Sequence, residues 1–193
     1  MNKVLINYGI TSAIDLEYLN VILDGCRSKN NEVNVKLFVF SDENTVGEHI
    51  AQANDKDITT ISVLHLHAED PSELVSMSRS NIVEYTSHQA SCNLQENIIL
   101  KPYSLDEINF SLFKEDGECG AIYSDYDVVA NNGDGLRTFL VSPPIKQQMP
   151  IPCVFFNTEK LMNFLGQESP ESHAFQQSMV VHIPKSLYVA YTT

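Results

Sequence analysis

The sequence predicts an α/β domain with a mixed, mostly parallel sheet that is flanked by helices. Two observations lead to this prediction. Short apolar segments alternate with amphipathic segments along the first third of the chain. Parallel strands need such crossover segments on the faces of their sheet. The chain of 193 residues is also long enough to bury a core without disulfide or metal staples.

The first half of the chain carries the clearest alternation of strand and helix patterns. Val4, Leu5 and Ile6 form a continuous apolar run, which is typical of a strand that is buried on both faces. Leu19 and Leu23 recur at helical spacing. The predicted elements are a strand at 3–8, a helix at 15–29, a strand at 35–40, a helix at 46–53, a strand at 58–66 and a helix that begins at 70–73.

The second half continues the pattern less regularly. Ser104 and Glu107 have the spacing of a capping box, which predicts the start of a helix. Pro170 and Glu171 fall in a polar stretch, which predicts a loop. The predicted elements are strands at 81–85, 97–100, 119–129 and 153–156, helices at 104–114 and 158–165, and a strand pair at 179–191.

The charge of the chain is strongly acidic. Twelve Lys and Arg stand against 25 Asp and Glu, which gives a formal net charge of −13. No basic cluster is longer than a pair, so binding to nucleic acid or to an anionic membrane surface through net charge is disfavoured. The acidic excess is typical of a soluble protein that recruits cations.

The cysteine pattern indicates a reducing compartment, and the hydropathy indicates a chain without a membrane span. Cys26, Cys92, Cys119 and Cys153 are spread widely and form no Cys-x-x-Cys pair, so we expect reduced, mostly buried thiols. No apolar stretch approaches the length of a membrane span, and the apolar run near Met1 is too short for a signal peptide. We therefore expect a cytoplasmic protein without a membrane span.

The segment Ser124-Asp125-Tyr126-Asp127 is the most informative motif. An apolar run delivers two carboxylates, two residues apart, to the expected end of a strand. Oxygen ligands from one short segment suit Mg²⁺ or Mn²⁺ and leave coordination positions open for the phosphates of a substrate. The alternative interpretation is an exposed strand end before a turn, because the segment 131–135 is dense in turn formers.

Six segments together resemble the family-2 glycosyltransferases, enzymes of GT-A fold that transfer a sugar from a nucleotide donor. These segments are 3–8, 35–44, 101–108, 123–133, 150–156 and 182–188. The resemblance runs over nearly the whole chain. It implies one GT-A-like domain over 1–193, with a nucleotide-binding half at 1–118 and a metal and acceptor half at 119–193.

The resemblance also implies particular site residues. By that match Asp42 faces the base of the donor nucleotide, and Asn7, Tyr8 and Gly9 lie beside it. The donor is a nucleotide sugar, and the cofactor is Mg²⁺ or Mn²⁺. The residues alone do not name the acceptor.

The chain departs from the family pattern at the metal and the base. In the register that aligns Pro102, the acidic metal motif falls on Leu94-Gln95-Glu96-Asn97, where only Glu96 keeps a charge. In a second register Asp125 and Asp127 are the metal ligands. The usual Glu-Asp pair that supplies the general base is absent before the last strand. Glu171 and His173 are the nearest replacements, and both residue types accept protons near neutral pH in suitable surroundings.

A separate metal motif is weaker. His65 and His67 lie two residues apart on a predicted strand, so their side chains share a face that Glu69 or Asp70 would complete. Two histidines at the end of an apolar strand are more often simply polar strand-end residues. Neither a Gly-x-Ser-x-Gly motif nor a phosphate-binding glycine-rich loop occurs, which argues against a serine hydrolase or a P-loop enzyme.

Three functional hypotheses follow from the sequence. The first is a metal-dependent glycosyltransferase that uses a nucleotide sugar. The second is a non-catalytic relative that keeps the fold, which the altered acidic motifs favour. The third is a regulatory receiver domain, because Lys101-Pro102 resembles the turn before the last helix of such domains. The receiver hypothesis is weakened because segments 7–9 and 64–66 lack the acidic residues that a receiver needs.

Overall fold

The computed structural model describes residues 2–11, 14–29, 33–41, 44–54, 60–67, 87–114, 119–131, 135–144, 151–164 and 170–192. The strands in these ranges are β1 (Asn2–Gly9), β2 (Val33–Ser41), β3 (Ile61–His67), β4 (Ala90–Gln95), β5 (Ile98–Leu100), β6 (Cys119–Asn131), β7 (Leu136–Val141), β8 (Val154–Asn157) and β9 (Met179–Thr192). The helices are α1 (Leu16–Gly25), α2 (Asn44–Asn54), α3 (Ser104–Lys114), α4 (Thr158–Met162) and α5 (Pro170–Gln177). No helix in the described residues is long and apolar enough to cross a membrane.

The described strands form one mixed sheet in the order β3-β2-β1-β4-β8-β6-β9-β5, with β7 paired to β6. The four strands β3, β2, β1 and β4 are parallel to one another. Strand β8 is antiparallel to both of its neighbours, and β6 is parallel to β9. Only β8, β5 and β7 run against the other six described strands. The predicted fold class, a mixed and mostly parallel sheet with flanking helices, is confirmed. Because receiver domains have a small, wholly parallel sheet, the receiver hypothesis is wrong.

The core lies on both faces of the sheet because side chains alternate along each strand. On one face the apolar side chains of α1 and α3, including Leu19 and Leu105, pack with Ile6 and other residues of the sheet. On the other face Leu5 packs in a second cluster with Ala174 of α5. The helices therefore cover both faces, and the polar ends of the strands remain at the edge of the sheet.

The differences from the predicted elements have local causes. Helix α1 ends at Gly25, before the polar residues that had been included in it. The polar segment before Glu96 forms the central strand β4, and Glu171 lies in the first turn of α5. Strand β7 was not predicted at all. The strand pair expected at 179–191 is one long strand, because no turn interrupts the segment. The helix predicted to begin at 70–73 and the strand predicted at 81–85 lie outside the described residues.

The start of α3 differs from a capping box. The Ser104 hydroxyl donates to the Leu187 carbonyl at 2.5 Å, so it ties α3 to β9. The residue before it, Tyr103, has a φ of 66°. A long-range contact therefore decides this helix start.

A bulge in β9 changes its register against β6. Ser124 of β6 is paired with Ile183, but the next residue, Asp125, is paired with Ser186. Pro184 and Lys185 therefore have no register partner in β6. Proline lacks the N–H that a ladder position requires, which explains why the bulge forms here. The bulge lies beside the polar residues of the candidate site.

Candidate active site

The candidate site lies at the carboxyl ends of the parallel strands. The chain runs from β1 outward to β2 and β3 and then returns to β4 on the other side of β1. In open α/β sheets, ligands bind in the crevice outside the strand ends at such a reversal. Asn7, Tyr8 and Gly9, which the resemblance assigns to nucleotide binding, are the last residues of β1. Asp42 lies outside the described residues.

Hydrogen bonds tie the ends of β1 and β4 together. The Asn7 Nδ2 donates to Asn93 Oδ1 at 2.9 Å. The Glu96 carboxylate accepts from the backbone N–H of Thr11 and from its hydroxyl, both at 2.8 Å. We call these turns after β1 and β4, residues 10–11 and 96–97, the donor crevice. The hydrogen bonds from Thr11 to the charged Glu96 hold these two turns together.

Tyr8 lies within β1, where it pairs with β2 on one side and β4 on the other. Its side chain is buried, and its hydroxyl donates to the Ile98 carbonyl. Burial raises the pKa of this phenol well above its ordinary value. The side chain of Tyr8 is therefore a core residue, and the assignment of Tyr8 to nucleotide binding stays a prediction.

A cleft of about 620 Å³ opens between α1 and the turn after β4. This volume lies within the range of small-molecule sites. The described lining includes the carboxylates of Asp15, Glu17 and Glu96 and the phenol rings of Tyr18 and Tyr191, and no Lys, Arg or His is among the described residues that line it. The cleft fits a hydroxyl-rich, uncharged group better than it fits a diphosphate.

A second polar cluster lies level with the donor crevice. Phe156 of β8 pairs with Ser91 of β4 on one side and with Ala121 of β6 on the other. Asp125 follows Ala121 by four residues, as Gln95, the last residue of β4, follows Ser91. The carboxylate of Asp125 is thus delivered to the same end of the sheet as the donor crevice.

Asp125 is buried and is held by two side chains. His182 Nε2 lies 2.7 Å from Asp125 Oδ1, and the Ser142 hydroxyl donates to the same oxygen at 2.5 Å. The His182 ring stacks on Tyr123, with ring centroids 4.8 Å apart and an interplanar angle of 19°. We call Tyr123, Asp125, Ser142 and His182 the dyad cluster. It joins β6, β9 and the end of β7 around one carboxylate.

The hydroxyl of Tyr123 is buried and has no hydrogen-bond partner among the described residues. Burial raises the pKa of this phenol, and the charge of Asp125 raises it further. The Tyr123 ring also lies 6.0 Å from the ring of Phe175 in α5. A buried hydroxyl without a partner is costly, and it is typical of a place where water or a ligand supplies the missing bond.

Asp127 forms a different network. Lys101 Nζ lies 2.6 Å from Asp127 Oδ2 and 2.7 Å from the Ser186 hydroxyl. The hydrogen bond from Lys101 holds the pKa of the Asp127 carboxyl below its ordinary value, although partial burial opposes this effect. Lys101 follows β5 directly, so the network ties the end of β5 to β6 and to the bulge in β9.

The two aspartates do not fit a divalent cation in this arrangement. Asp127 faces the ammonium of Lys101, and Asp125 accepts from His182 and Ser142 through one oxygen. Among the described residues no group of three or more His, Cys, Asp or Glu side chains is placed to hold a metal. Binding of Mg²⁺ or Mn²⁺ to Asp125 and Asp127 stays a prediction.

The Asp127 network predicts how stability changes in acid. Because the folded-state pKa of Asp127 is lowered, its ion pair stabilises the protein above the ordinary pKa of 3.8 and is lost as the pH falls through the lowered value. We expect Asp127→Asn to lower the free energy of unfolding by about 1 kcal/mol at pH 7. This difference from the wild type should shrink below about pH 4.

Urea unfolding across this pH range, in the presence of a chelator, measures the difference. Glu107→Gln is the matched control, because its partner Lys185 is exposed and a surface pair contributes little. A difference for Asp127→Asn that stays constant down to the lowest pH would contradict the ion-pair interpretation.

The two predicted bases differ in their surroundings. Glu171 lies one turn before Phe175 in α5, on the side of the helix whose Phe175 ring contacts Tyr123. The ring of His173 stacks with Phe164, with centroids 6.3 Å apart. Residues two apart in a helix point to different sides, so His173 points away from the dyad cluster. The catalytic roles of both residues stay predictions.

The predicted metal motif of His65 and His67 can be described only in part. His65 lies on β3 beside α2, while the side chain of His67 and residues 69 and 70 lie outside the described part of the chain.

The sequence patterns did not predict the roles of His182, Ser142, Lys101 and Tyr123. His182 and Asp125 are separated by 57 positions. No local spacing brings them together, so no motif marks the pair. The available signal was His182 itself, a histidine that follows an apolar run and stands two residues before Pro184.

Structural comparison shows which known fold the chain shares. The crystal structure of S. aureus TarS 1–349 matches it with a TM-score of 0.62 and 12% sequence identity, over 99% of this chain and 60% of TarS 1–349. The same TarS fragment in complex with UDP-GlcNAc matches with a TM-score of 0.61 and 12% identity, over 100% of this chain and 59% of the fragment. The complex with UDP matches with a TM-score of 0.60 and 13% identity, over 100% and 61%.

The fold is GT-A-like. The resemblance seen in the sequence is thereby confirmed at the level of fold, and identity this low establishes the fold alone. The chain spans about three fifths of the TarS fragment that it matches. No protein-family model and no curated protein matches the sequence.

Proposed function

We propose that this protein is a glycosyltransferase that moves a sugar from a nucleotide-diphosphate donor to an acceptor hydroxyl. The observation that carries the proposal is the match of the whole chain to TarS structures, one of which contains UDP-GlcNAc and another UDP. A UDP-sugar is therefore the proposed donor. The donor crevice lies where ligands of α/β sheets bind, which supports the same conclusion.

The proposed donor contacts come from the ends of the parallel strands. Asn7, Tyr8 and Gly9, at the end of β1, are proposed to bind the nucleotide, with Asp42 at its base, as the resemblance implies. Thr11 and Glu96 fix the turn on which the donor would rest. The acidic cleft beside Glu96 suits the hydroxyl groups of a sugar.

The chemistry requires two further contributions. The acceptor oxygen attacks the anomeric carbon, so a base must take its proton. The nucleoside diphosphate leaves with the electron pair of the broken bond, and its charge must be stabilised. The resemblance implies Glu171 or His173 as that base, and Glu171 shares a side of α5 with Phe175, whose ring contacts Tyr123.

The alternative is a relative that binds a nucleotide without catalysis. It is favoured by the acidic motif after β4, where only Glu96 keeps a charge, and by Ser172, which follows Glu171 where the family has an acidic pair. Binding and turnover must therefore be measured separately.

Calorimetry and thermal melting with UDP and UDP-GlcNAc, with Mn²⁺ or with chelator, test the proposal. At one hundred times Kd, UDP should stabilise the protein by about 2.7 kcal/mol. Thr11→Val should weaken UDP binding about fivefold, because it frees the Glu96 turn from one hydrogen bond. Ser62→Ala, at an exposed position of β3, is the control.

The outcomes separate the two candidates. Binding together with release of UDP from UDP-GlcNAc supports the transferase. Binding without release supports the non-catalytic relative. If no nucleotide sugar binds and no UDP is released, both the transferase and the non-catalytic relative are overturned.

A further inference from the structure

The dyad cluster contains an imidazole that a carboxylate holds in one orientation. His182 Nε2 faces Asp125 Oδ1 at 2.7 Å, and its side chain is 19% exposed. A carboxylate can only accept hydrogen bonds, so the shared proton lies on Nε2. In a neutral imidazole with that proton, the other nitrogen, Nδ1, carries a lone pair.

The Nδ1 atom of His182 is open. It makes no hydrogen bond with the described residues, and it is not among their fully buried polar atoms without a partner. The Tyr123 ring stacks against the imidazole and limits its rotation. The ring is thus oriented by Asp125 on one edge and by Tyr123 on its face, while its second nitrogen is accessible.

The buried hydroxyl of Tyr123 is an independent sign of a missing polar group. Tyr123 is 2% exposed, and its hydroxyl has no partner among the described residues. It lies on the side chain that contacts both His182 and Phe175 of α5. A ligand hydroxyl bound in this cluster would satisfy it.

We infer that His182 is a catalytic residue that accepts the proton of the acceptor hydroxyl, and that Asp125 is its positioning residue. The inference rests on the proposed function. As the acceptor oxygen bonds to the anomeric carbon, its proton passes to Nδ1 of His182. The bond from that carbon to the diphosphate oxygen breaks, and its electron pair leaves with the nucleoside diphosphate. The proton then passes from His182 to solvent.

The charges around His182 suit this role. Asp125 stabilises the imidazolium that forms, while Tyr123 and Ser142 are neutral. Glu171 comes from α5 on the same face of the sheet. The pair formed by His182 and Asp125 supplies a base in a chain that lacks the Glu-Asp pair of the family.

Release of UDP from UDP-GlcNAc, with water as the acceptor, measures the role of His182 without a known acceptor. His182→Ala should lower kcat about 100-fold or more, while the Kd for UDP stays within about twofold of the wild type. Free imidazole should restore much of the lost rate to His182→Ala, because the truncation leaves space beside Tyr123. Imidazole rescue separates a proton acceptor from a merely structural residue.

Three variants complete the test. His49→Ala is the matched control, because His49 lies on α2, which supplies no residue to the donor crevice or the dyad cluster, and kcat should stay nearly unchanged. Asp125→Asn should lower kcat with little change in KM, and imidazole should not rescue it. If Glu171→Gln abolishes turnover while His182→Ala keeps it, the inference is overturned.

Two further outcomes are also decisive. Loss of UDP binding in His182→Ala, or loss of turnover without imidazole rescue, would make His182 structural and overturn the inference. A wild type that releases no UDP would overturn the proposed function itself, and the inference with it.

Discussion

Phe155→Ala is expected to lower the free energy of unfolding by about 3–5 kcal/mol, since it removes a large side chain from the core and leaves a cavity. Phe155 is 2% exposed and lies in the middle of β8. Strand β8 is the strand that pairs with both β4 and β6. The cavity would therefore lie where strands β1 to β4 join the part of the sheet formed by β6 and β9.

Urea unfolding followed by circular dichroism measures this loss. Phe139→Ala is the matched control, because Phe139 is 49% exposed on β7 and should cost less than about 1 kcal/mol. The donor crevice lies on β1 and β4, whereas the dyad cluster lies on β6 and β9. Strand β8 lies between these two parts of the site, so Phe155→Ala should also reduce turnover under conditions in which the protein is still folded. Equal losses of stability for the two variants would contradict the role assigned to β8.

Gly25→Ala is the second substitution for which we expect a large effect. In a helix this change normally stabilises by up to about 1 kcal/mol. Here the added Cβ would lie 2.2 Å from the carbonyl oxygen of Leu100, a backbone atom of β5. Either α1 or β5 must move, so we expect a loss of about 3 kcal/mol instead.

Gly47→Ala in α2 is the control for Gly25→Ala. Among the described residues its Cβ would first meet the His65 ring, at 3.0 Å, and a side chain can shift more easily than a backbone. We expect Gly47→Ala to change stability by less than about 1 kcal/mol. Thermal melting of both variants decides the point. If Gly25→Ala melts at or above the wild-type temperature, α1 and β5 are not packed as closely as described.

The strands β1, β2 and β6 were predictable because each one contains a continuous apolar run, at 4–6, 37–40 and 121–123. Such a run can be buried on both faces whatever its neighbours are. Strand β4 was not predictable, because Ser91, Asn93 and Gln95 make it look like a polar loop. Its central place in the sheet satisfies these groups, as the hydrogen bond between Asn7 and Asn93 illustrates. Strand β7 is exposed along its length, so no burial pattern marks it.

The position of Asn7 to Gly9 at a strand end followed largely from sequence order, and their role in donor binding stays a prediction. Parallel strands bring their carboxyl ends to one edge, so the predicted residues Asn7 to Gly9 lie at the crevice. The partners of the predicted aspartates did not follow. Lys101 precedes Asp127 by 26 positions and His182 follows Asp125 by 57. The spacing of Asp125 and Asp127 suggested a shared cation, but their partners come from separate elements.

The sequence by itself determined the α/β class, the order of the main strands and the resemblance to the GT-A fold, because these depend on local apolar patterns. Only the tertiary structure decided that Asp125 pairs with His182 and Asp127 with Lys101. Those pairs depend on the parallel pairing of β6 with β9 and on the bulge at Pro184, which shifts the register by two residues. Since side chains alternate along a strand, contacts of this kind depend on register, and tertiary pairing sets that register.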